Sequence, residues 1–145
     1  MLAISTKGRY SLRILILMAS EPRGHIFAKW EIADAESISC AYVQQLMAAL
    51  RTAGFVASHR GRVGGFTLTR APETITVADV LRATEGQVVL APCLGDESCE
   101  RELNCRARPM WIRATRLFDE LFSGTTVAEL AAGEANGRPQ VVEGM

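Results

Sequence analysis

The sequence predicts a mostly α-helical fold with one small β-hairpin and a long helix near its C-terminal end. Apolar residues recur at helical spacing in several segments, and two strand-like runs flank a glycine-rich turn. With 145 residues the chain has room for one domain with its own core, but not for two full-sized ones. Residues 12–18 are apolar except for Arg13 and too few to cross a bilayer, and no signal-peptide cleavage site follows them. We therefore expect a cytoplasmic protein without a membrane segment.

Three helices are predicted in the first part of the chain, over residues 5–20, about 28–36 and about 40–53. Ser39 precedes the third helix as a good N-cap, and Gly54 lies just past its end, where a left-handed residue is favoured. The apolar residues expected to pack these helices together are Tyr10, Ile14, Leu17, Met18, Trp30, Ile32, Ala33, Val43, Leu46, Met47 and Leu50.

A β-hairpin with a basic tip is predicted directly after the third helix. Residues 55–60 and 66–70 are strand-like, and the glycine-rich segment 61–65 between them supplies the turn. This glycine run lacks the lysine followed by Ser or Thr that a phosphate-binding P-loop requires, and no strand-to-helix context surrounds it. Three helices followed by such a hairpin are the order of a winged helix-turn-helix.

The second half of the chain is predicted to hold a short helix, a cysteine-rich loop and a long amphipathic helix. The short helix covers about 77–84, the loop covers 87–106, and the long helix covers about 107–122. A last short helix follows, which Thr125 or Thr126 caps. The long helix carries one apolar stripe, formed by Met110, Trp111, Ala114, Leu117, Phe118, Leu121 and Phe122.

These elements predict a winged helix-turn-helix domain over residues 1–72, followed by the cysteine loop and the long helix over 73–132. The polar tail over 133–145 has little to bury, and we expect it to be disordered.

Residues 1–70 carry nine Lys or Arg and four Asp or Glu, whereas the remaining residues carry seven Lys or Arg and twelve Asp or Glu. The basic first half indicates a polyanionic partner, although chance segregation of surface charge would give the same counts.

The exposed face of the third helix and the hairpin tip are the predicted DNA-contacting regions. In a helix-turn-helix the recognition helix lies in the major groove, where glutamine can bind adenine and an alanine methyl can contact thymine. Arginines beside a glycine on a loop suit the minor groove or backbone phosphates. An ordinary solvated helix face is the competing interpretation, which the adjoining hairpin makes weaker. The predicted contact residues are Ser39, Ala41, Tyr42, Gln44, Gln45, Arg60, Gly61 and Arg62.

Three of the four cysteines, Cys93, Cys99 and Cys105, share one loop with five residues between neighbours. In a cytosolic chain such cysteines more often bind a metal or undergo redox chemistry than form disulfides. Spacing alone leaves an iron–sulfur cluster, a zinc site and a thiol switch open, although it is not the C-x2-C of zinc ribbons and the acidic neighbours do not favour a reactive thiolate. Cys40 is expected to be buried or idle near DNA rather than a ligand.

No arrangement of residues indicates an enzyme. The two histidines, His25 and His59, lie in the first half, and no Ser/His/Asp or paired-acid pattern accompanies them. We therefore expect no catalytic residues in this chain.

Together these motifs resemble those of the bacterial IscR/NsrR-type iron–sulfur transcription regulators. The resemblance extends over residues 1–132, and it is specific because segments from all parts of that range contribute to it. It depends on STKGRY at 5–10, ISCAYVQQL at 38–46, RGRVGGF at 60–66, the three loop cysteines and Trp111.

The resemblance implies a homodimer that forms through the long helix 107–122 and presents two winged heads to double-stranded DNA. It implies Cys93, Cys99 and Cys105 as ligands of a [2Fe-2S] or [4Fe-4S] cluster. Transcription would then respond to iron or cluster status, oxygen, redox state or nitric oxide, and thiol or zinc sensing by the same cysteines is the alternative. Gln44 stands where IscR-like members have an acidic residue, so we expect a different or looser base preference.

The fourth cluster ligand does not follow from the resemblance. Arg108 stands where IscR-like members have a histidine, and Arg9 stands where NsrR-like members have an aspartate; neither cation can ligate iron. A loop carboxylate, a residue of the partner subunit or a small molecule could complete the site. Three protein ligands leave one iron open to oxygen or nitric oxide. The loop carboxylates are Asp96, Glu97, Glu100 and Glu102.

Overall fold

A computed structural model describes residues 3–133, which contain six α-helices and one two-stranded antiparallel sheet. The helices are α1 (Thr6–Ala19), α2 (Lys29–Glu36), α3 (Cys40–Thr52), α4 (Val77–Glu85), α5 (Arg108–Ser123) and α6 (Val127–Ala132), and the strands are β1 (Val56–His59) and β2 (Gly65–Leu68). The mostly helical fold with a winged helix-turn-helix is thereby confirmed. Across these described residues, no helix is both long and apolar enough to cross a membrane.

Side-chain caps determine where several of these helices begin. Ser39 Oγ accepts a hydrogen bond from the Tyr42 amide at 3.1 Å and so caps α3. Thr76 and Asp79 form a reciprocal capping box at the start of α4, with hydrogen bonds of 3.0 and 3.1 Å. Thr126, one of the two predicted caps, begins α6 in the same way. Short-range sequence signals therefore place these helix starts to within a residue or two.

A third short extended segment at Phe27 pairs with the hairpin. The amides and carbonyls of Phe27 and Phe66 exchange hydrogen bonds of 2.9 and 2.8 Å. A Cβ on Gly65 would overlap the carbonyl oxygen of Phe27, so this close backbone approach requires glycine. Gly65 consequently belongs to β2, whereas the sequence places it in the turn.

One hydrophobic core runs through residues on both sides of residue 72. Helix α1 lies at its centre and packs against α2, α3, α4 and α6. The amide of Val127 donates to the Ile75 carbonyl at 2.8 Å, which holds the start of α6 beside the start of α4. The fully or nearly fully buried residues of this core include Ile14, Leu15, Met18, Ile32, Val43, Leu46, Met47, Leu50, Phe55, Val56, Ile75, Val80 and Val127.

Trp30 is a predicted core residue that the structure places at the surface, with 66% of its area exposed. Helix α2 has only eight residues, and it buries Ile32, Ala33 and Glu36. Two residues along a helix correspond to about 200° around its axis, so Trp30 lies opposite Ile32. The prediction that Trp30 packs into the core was therefore wrong.

The cysteine-rich loop is more ordered than an irregular connection. It contains two short 3₁₀ turns, Pro92–Leu94 and Glu102–Asn104, in the segment predicted as loop. At the other end, Gly133 terminates α6 in the left-handed region with φ 71°. The remainder of the predicted disordered tail lies outside the described residues.

Candidate functional site

The two faces of α3 differ in exposure as the sequence predicts. Tyr42 is half-buried, because its ring meets the ring of Tyr10 edge-on with centroids 6.0 Å apart and planes at 82°. The face of the helix away from the core presents small and polar groups, as major-groove recognition requires, whereas the Tyr42 ring also packs against the core and is only partly open to solvent. The buried residues of α3 are Val43, Leu46, Met47 and Leu50, and the predicted contact residues Ser39, Ala41, Gln44 and Gln45 are exposed.

The hairpin tip presents both predicted arginines to solvent. Arg60 and Arg62 are exposed and flank Gly61, which has a φ of 111° that favours glycine. Below the tip, His59 Nε2 forms a 2.8 Å hydrogen bond with Thr67 Oγ1 across the two strands. Two arginines at a glycine turn, supported by two paired strands, are suited to contact backbone phosphates or a narrow minor groove.

Cys40 is exposed at the first position of α3, beside the predicted contact residues. The prediction left it either buried or idle near DNA, and burial is the part that the structure contradicts. The reason is its place at the start of the helix: Cys40 is the first residue of α3, one turn before Val43, the first residue of the helix that is buried in the core.

The three loop cysteines lie at different depths. Cys93 is half-buried in the first 3₁₀ turn, Cys99 is exposed between the turns, and Cys105 is half-buried just before α5. Within residues 3–133, no group of three His, Cys, Asp or Glu side chains lies close enough together to hold a metal ion. A ligand that needs all three thiols thus requires the loop to close further.

Arg108, the first residue of α5, fastens this loop to the helix. Its Nη1 donates to the carbonyl oxygen of Cys93 at 2.9 Å, and its Nη2 lies 2.6 Å from Glu102 Oε1. Further along α5, Thr115 Oγ1 accepts from the amide of Leu90 at 3.3 Å. The sequence identifies Arg108 only as a residue unable to ligate, and no local signal reveals its partners, because Cys93 lies 15 residues away.

The donor set fits an iron–sulfur cluster in chemistry, since thiolates are the usual cluster ligands. Two of the thiols are half-buried in a loop that α5 contacts at Leu90, Cys93 and Glu102, and the third is exposed between them. Of the four loop carboxylates, Glu102 is engaged by Arg108, whereas Asp96, Glu97 and Glu100 are exposed. The described residues therefore provide three thiolate ligands, and they do not identify a fourth ligand.

Helix α5 leaves its apolar stripe largely uncovered. None of its sixteen residues is buried in the described chain. Beside the stripe, a hollow of about 690 Å³ lies between α4 and α5, and a second of about 460 Å³ extends from it toward Ile4. Single exposed apolar residues are common, but a contiguous stripe of this size is typical of a contact surface. The exposed apolar residues are Met110, Trp111, Ile112, Leu117, Phe118 and Leu121.

Comparisons with known proteins agree with this architecture. Residues 4–133 match the Rrf2 family, described as iron-dependent transcriptional regulators. The chain is 36% identical over 129 residues to the HTH-type transcriptional regulator CymR of Bacillus subtilis, which covers 89% of each protein. It is 30% identical over 127 residues to the HTH-type transcriptional regulator IscR of Erwinia tasmaniensis, covering 88% of this chain and 77% of that relative.

Solved structures give the same result. The structure of CymR, described as the global cysteine regulator of B. subtilis, matches with a TM-score of 0.79 at 36% identity and covers 92% of this chain and 98% of CymR. The structure of T. potens IscR matches with a TM-score of 0.72 at 28% identity and covers 94% and 93%. The family match spans nearly the whole described chain, and it includes α3 and the hairpin, which carry the predicted contact residues. The chain therefore belongs to the Rrf2 family of DNA-binding transcriptional regulators, and it is not an enzyme.

Proposed function

We propose that this regulator binds a specific DNA sequence as a homodimer, and that an iron–sulfur cluster held by Cys93, Cys99 and Cys105 controls the binding. The observation that carries the proposal is a loop with three thiols whose two ends are fastened to the helix with the exposed apolar stripe. The family description as iron-dependent regulators supports it. The cluster is of the [2Fe-2S] or [4Fe-4S] type, and the signal is iron or cluster status, oxygen, redox state or nitric oxide.

Residues 1–72 are the DNA-binding part of this proposal, and residues 73–132 hold the cluster loop and the dimerisation helix. The exposed face of α3 enters the major groove and the tip of the hairpin contacts the adjoining minor groove or phosphates. Support comes from the exposure of all these residues except the half-buried Tyr42, because an exposed group is free to bind without unfolding the core. The proposed contacts are Ser39, Ala41, Tyr42, Gln44, Gln45, Arg60, Gly61 and Arg62.

A second copy of the chain covers the apolar stripe of α5 in the proposed homodimer. Leu117 and Leu121 are 58% and 61% exposed, and burying such a stripe against its symmetry mate is favourable at about 25 cal/mol for each Å² removed from water. A two-fold dimer presents two recognition helices to two half-sites, which predicts a near-palindromic DNA sequence.

In this proposal the loop controls DNA binding through the contacts of Arg108 and Thr115. Both residues belong to α5, so a change in the loop's conformation is passed directly to the proposed dimer helix. A small rotation or shift of a helix at a dimer interface alters the distance between the two recognition helices. When bound, the cluster supplies a redox-active centre with one iron that the three cysteines leave open.

The test is the iron and sulfide content of protein purified without oxygen, together with its visible absorption spectrum. We expect a brown sample with thiolate-to-iron charge-transfer bands, and a Cys99→Ala variant that has lost most of its iron. Cys40→Ala is the matched control, because Cys40 is also exposed but lies on α3, and its iron content should equal that of the wild type. Unchanged iron in Cys99→Ala would contradict the assignment of the ligands.

The coupling is tested separately from the ligand assignment. Operator affinity of wild type and Cys99→Ala is measured with and without reconstitution by iron and sulfide, on a duplex that the wild-type protein selects from a random-sequence library. We expect reconstitution to change the affinity of the wild type but not that of the variant. Equal affinities in all four samples would exclude control by the cluster and leave DNA binding intact.

A thiol or zinc sensor is the second candidate. The separation of the thiols among residues 3–133 and the exposure of Cys99 favour the thiol sensor, whereas zinc, like the cluster, requires the loop to close further. In this case anaerobically purified protein is colourless and free of iron, yet still binds the selected duplex. Zinc analysis and titration of the thiols after mild oxidation then distinguish the two possibilities.

A further inference from the structure

A chain of side-chain contacts links α2, α1 and the recognition helix α3. Glu36, the last residue of α2, lies 2.6 Å from Arg13 Nε on α1. The guanidinium carbon of Arg13 lies 5.1 Å above the centroid of the Tyr10 ring, one turn earlier on the same helix. Tyr10 in turn meets Tyr42 of α3 edge-on. These contacts therefore connect residues of three helices, and the last of them, Tyr42, is a proposed DNA-contacting residue.

Because Glu36 is buried, its carboxylate requires the ion pair with Arg13, the first of these contacts. Its side chain is only 10% exposed, whereas that of Arg13 is 55% exposed. A carboxylate taken out of water is costly unless a cation pairs with it, and Arg13 is the cation in contact. The ion pair therefore restricts where the guanidinium can lie, and it lies over the face of Tyr10, which a cation favours.

The Tyr10 ring passes this restraint on to Tyr42. Tyr10 packs against the hydrophobic core on one side and is covered by Arg13, so its own ring has little freedom. Near-perpendicular aromatic pairs at centroid separations of 4.5 to 7 Å are favourable, and the pair at 6.0 Å and 82° has this geometry. Tyr42 is the third residue of α3, and its amide already donates to Ser39. Its ring also packs against the core. The backbone and the ring of Tyr42 are thus both held before DNA binds.

We propose that Tyr10 and Arg13 are positioning residues for Tyr42, which they hold in the orientation that contacts DNA. The proposal rests on the proposed function in one respect only, namely that Tyr42 touches the DNA. A side chain held in its binding orientation loses less conformational entropy on association, so it contributes more to affinity. Neither Tyr10 nor Arg13 needs to reach the DNA itself.

The test is a double-mutant cycle measured on two duplexes, one selected by the wild-type protein from a random-sequence library and one with the same composition in scrambled order. Loss of an aromatic pair predicts that Tyr10→Ala weakens binding to the selected duplex by about fivefold. Binding to the scrambled duplex, which depends mainly on phosphate contacts, stays unchanged. Tyr10→Phe retains the ring and restores wild-type affinity. In a Tyr42→Ala background, Tyr10→Ala has no further effect.

A variant of Arg13 tests the proposal independently, and it can still be measured if Tyr10→Ala does not fold. Arg13→Lys keeps the charge but loses the planar group over Tyr10, and we expect about a threefold loss on the selected duplex alone. Arg9→Ala is the matched control, because Arg9 is an exposed cation on the same helix that contacts Thr6 instead of Tyr10. It removes a cation from α1 and should leave the ratio of the two affinities unchanged.

The outcomes distinguish the positioning role of Tyr10 from the DNA contact made by Tyr42. If Tyr42→Ala binds the selected duplex as well as the wild type does, Tyr42 does not contact DNA and that part of the proposed function is wrong. If Tyr42→Ala is costly but the Tyr10 and Tyr42 effects add, or if both duplexes weaken equally, Tyr10 has only a structural role and the positioning proposal is overturned.

Discussion

Replacing Arg108 by glutamine should loosen the cysteine loop from α5 and make Cys93 more reactive. The guanidinium donates to the Cys93 carbonyl at 2.9 Å and pairs with Glu102 at 2.6 Å. Glutamine is shorter and uncharged, so it cannot make both contacts. Cys93 is half-buried, so its reaction with a reagent depends on opening of the loop, whereas Cys99 is already exposed and serves as an internal control.

The magnitude follows from the exposure of the partners. The side chain of Arg108 is 22% exposed, and a hydrogen bond from a charged donor is worth about 1.5–3 kcal/mol. Glu102 is 48% exposed, so its ion pair is screened by water and contributes roughly 0–1 kcal/mol. A total of about 2 kcal/mol corresponds to about a 30-fold change in the equilibrium for opening this part of the loop.

The assay is alkylation of the metal-free protein by iodoacetamide, followed for each cysteine by mass spectrometry. When the loop recloses faster than the reagent reacts, the rate follows the open population. We expect the Cys93 rate to rise toward the Cys99 rate, by up to about 30-fold, while the Cys99 rate stays constant. Arg106→Gln removes an exposed cation from the same segment and should change neither rate. An unchanged Cys93 rate in Arg108→Gln would refute the idea that Arg108 holds the loop.

Three further predictions concern the dimer, the recognition helix and the core. Leu121→Glu places a charge on the exposed α5 stripe and should give monomers in sedimentation equilibrium, whereas a persistent dimer would contradict an α5 interface. Ser39→Ala removes the cap of α3 and should lower the free energy of unfolding in urea by about 1 kcal/mol, which Ser39→Asp should restore; equal stability of all three proteins would deny the cap a role. Met47→Ala leaves a cavity at a fully buried site and should cost about 2–5 kcal/mol in the same assay, so a near-zero change would be inconsistent with its burial.

Local patterns sufficed to predict the order of the elements and the exposed face of α3. Ser39 as a cap and Gly54 as a left-handed residue act within a few positions of the helix ends, so their effect is visible in the sequence. The exposed face of α3 was predictable for a similar reason, because its four buried apolar residues recur at helical spacing and leave the remainder to solvent. The short α2 offered too few apolar residues for such a pattern, and the position of Trp30 was consequently mistaken.

The sequence by itself determined the winged helix-turn-helix order, the basic wing and the presence of three cysteines in one loop. Only the tertiary structure decided which side chains meet: Tyr10 with Tyr42, Arg13 with Glu36, and Arg108 with the Cys93 carbonyl. The physical reason is range. Periodicity and capping depend on neighbours within one or two helical turns, whereas these contacts depend on how whole helices pack around α1 and on the path of a loop between two of them.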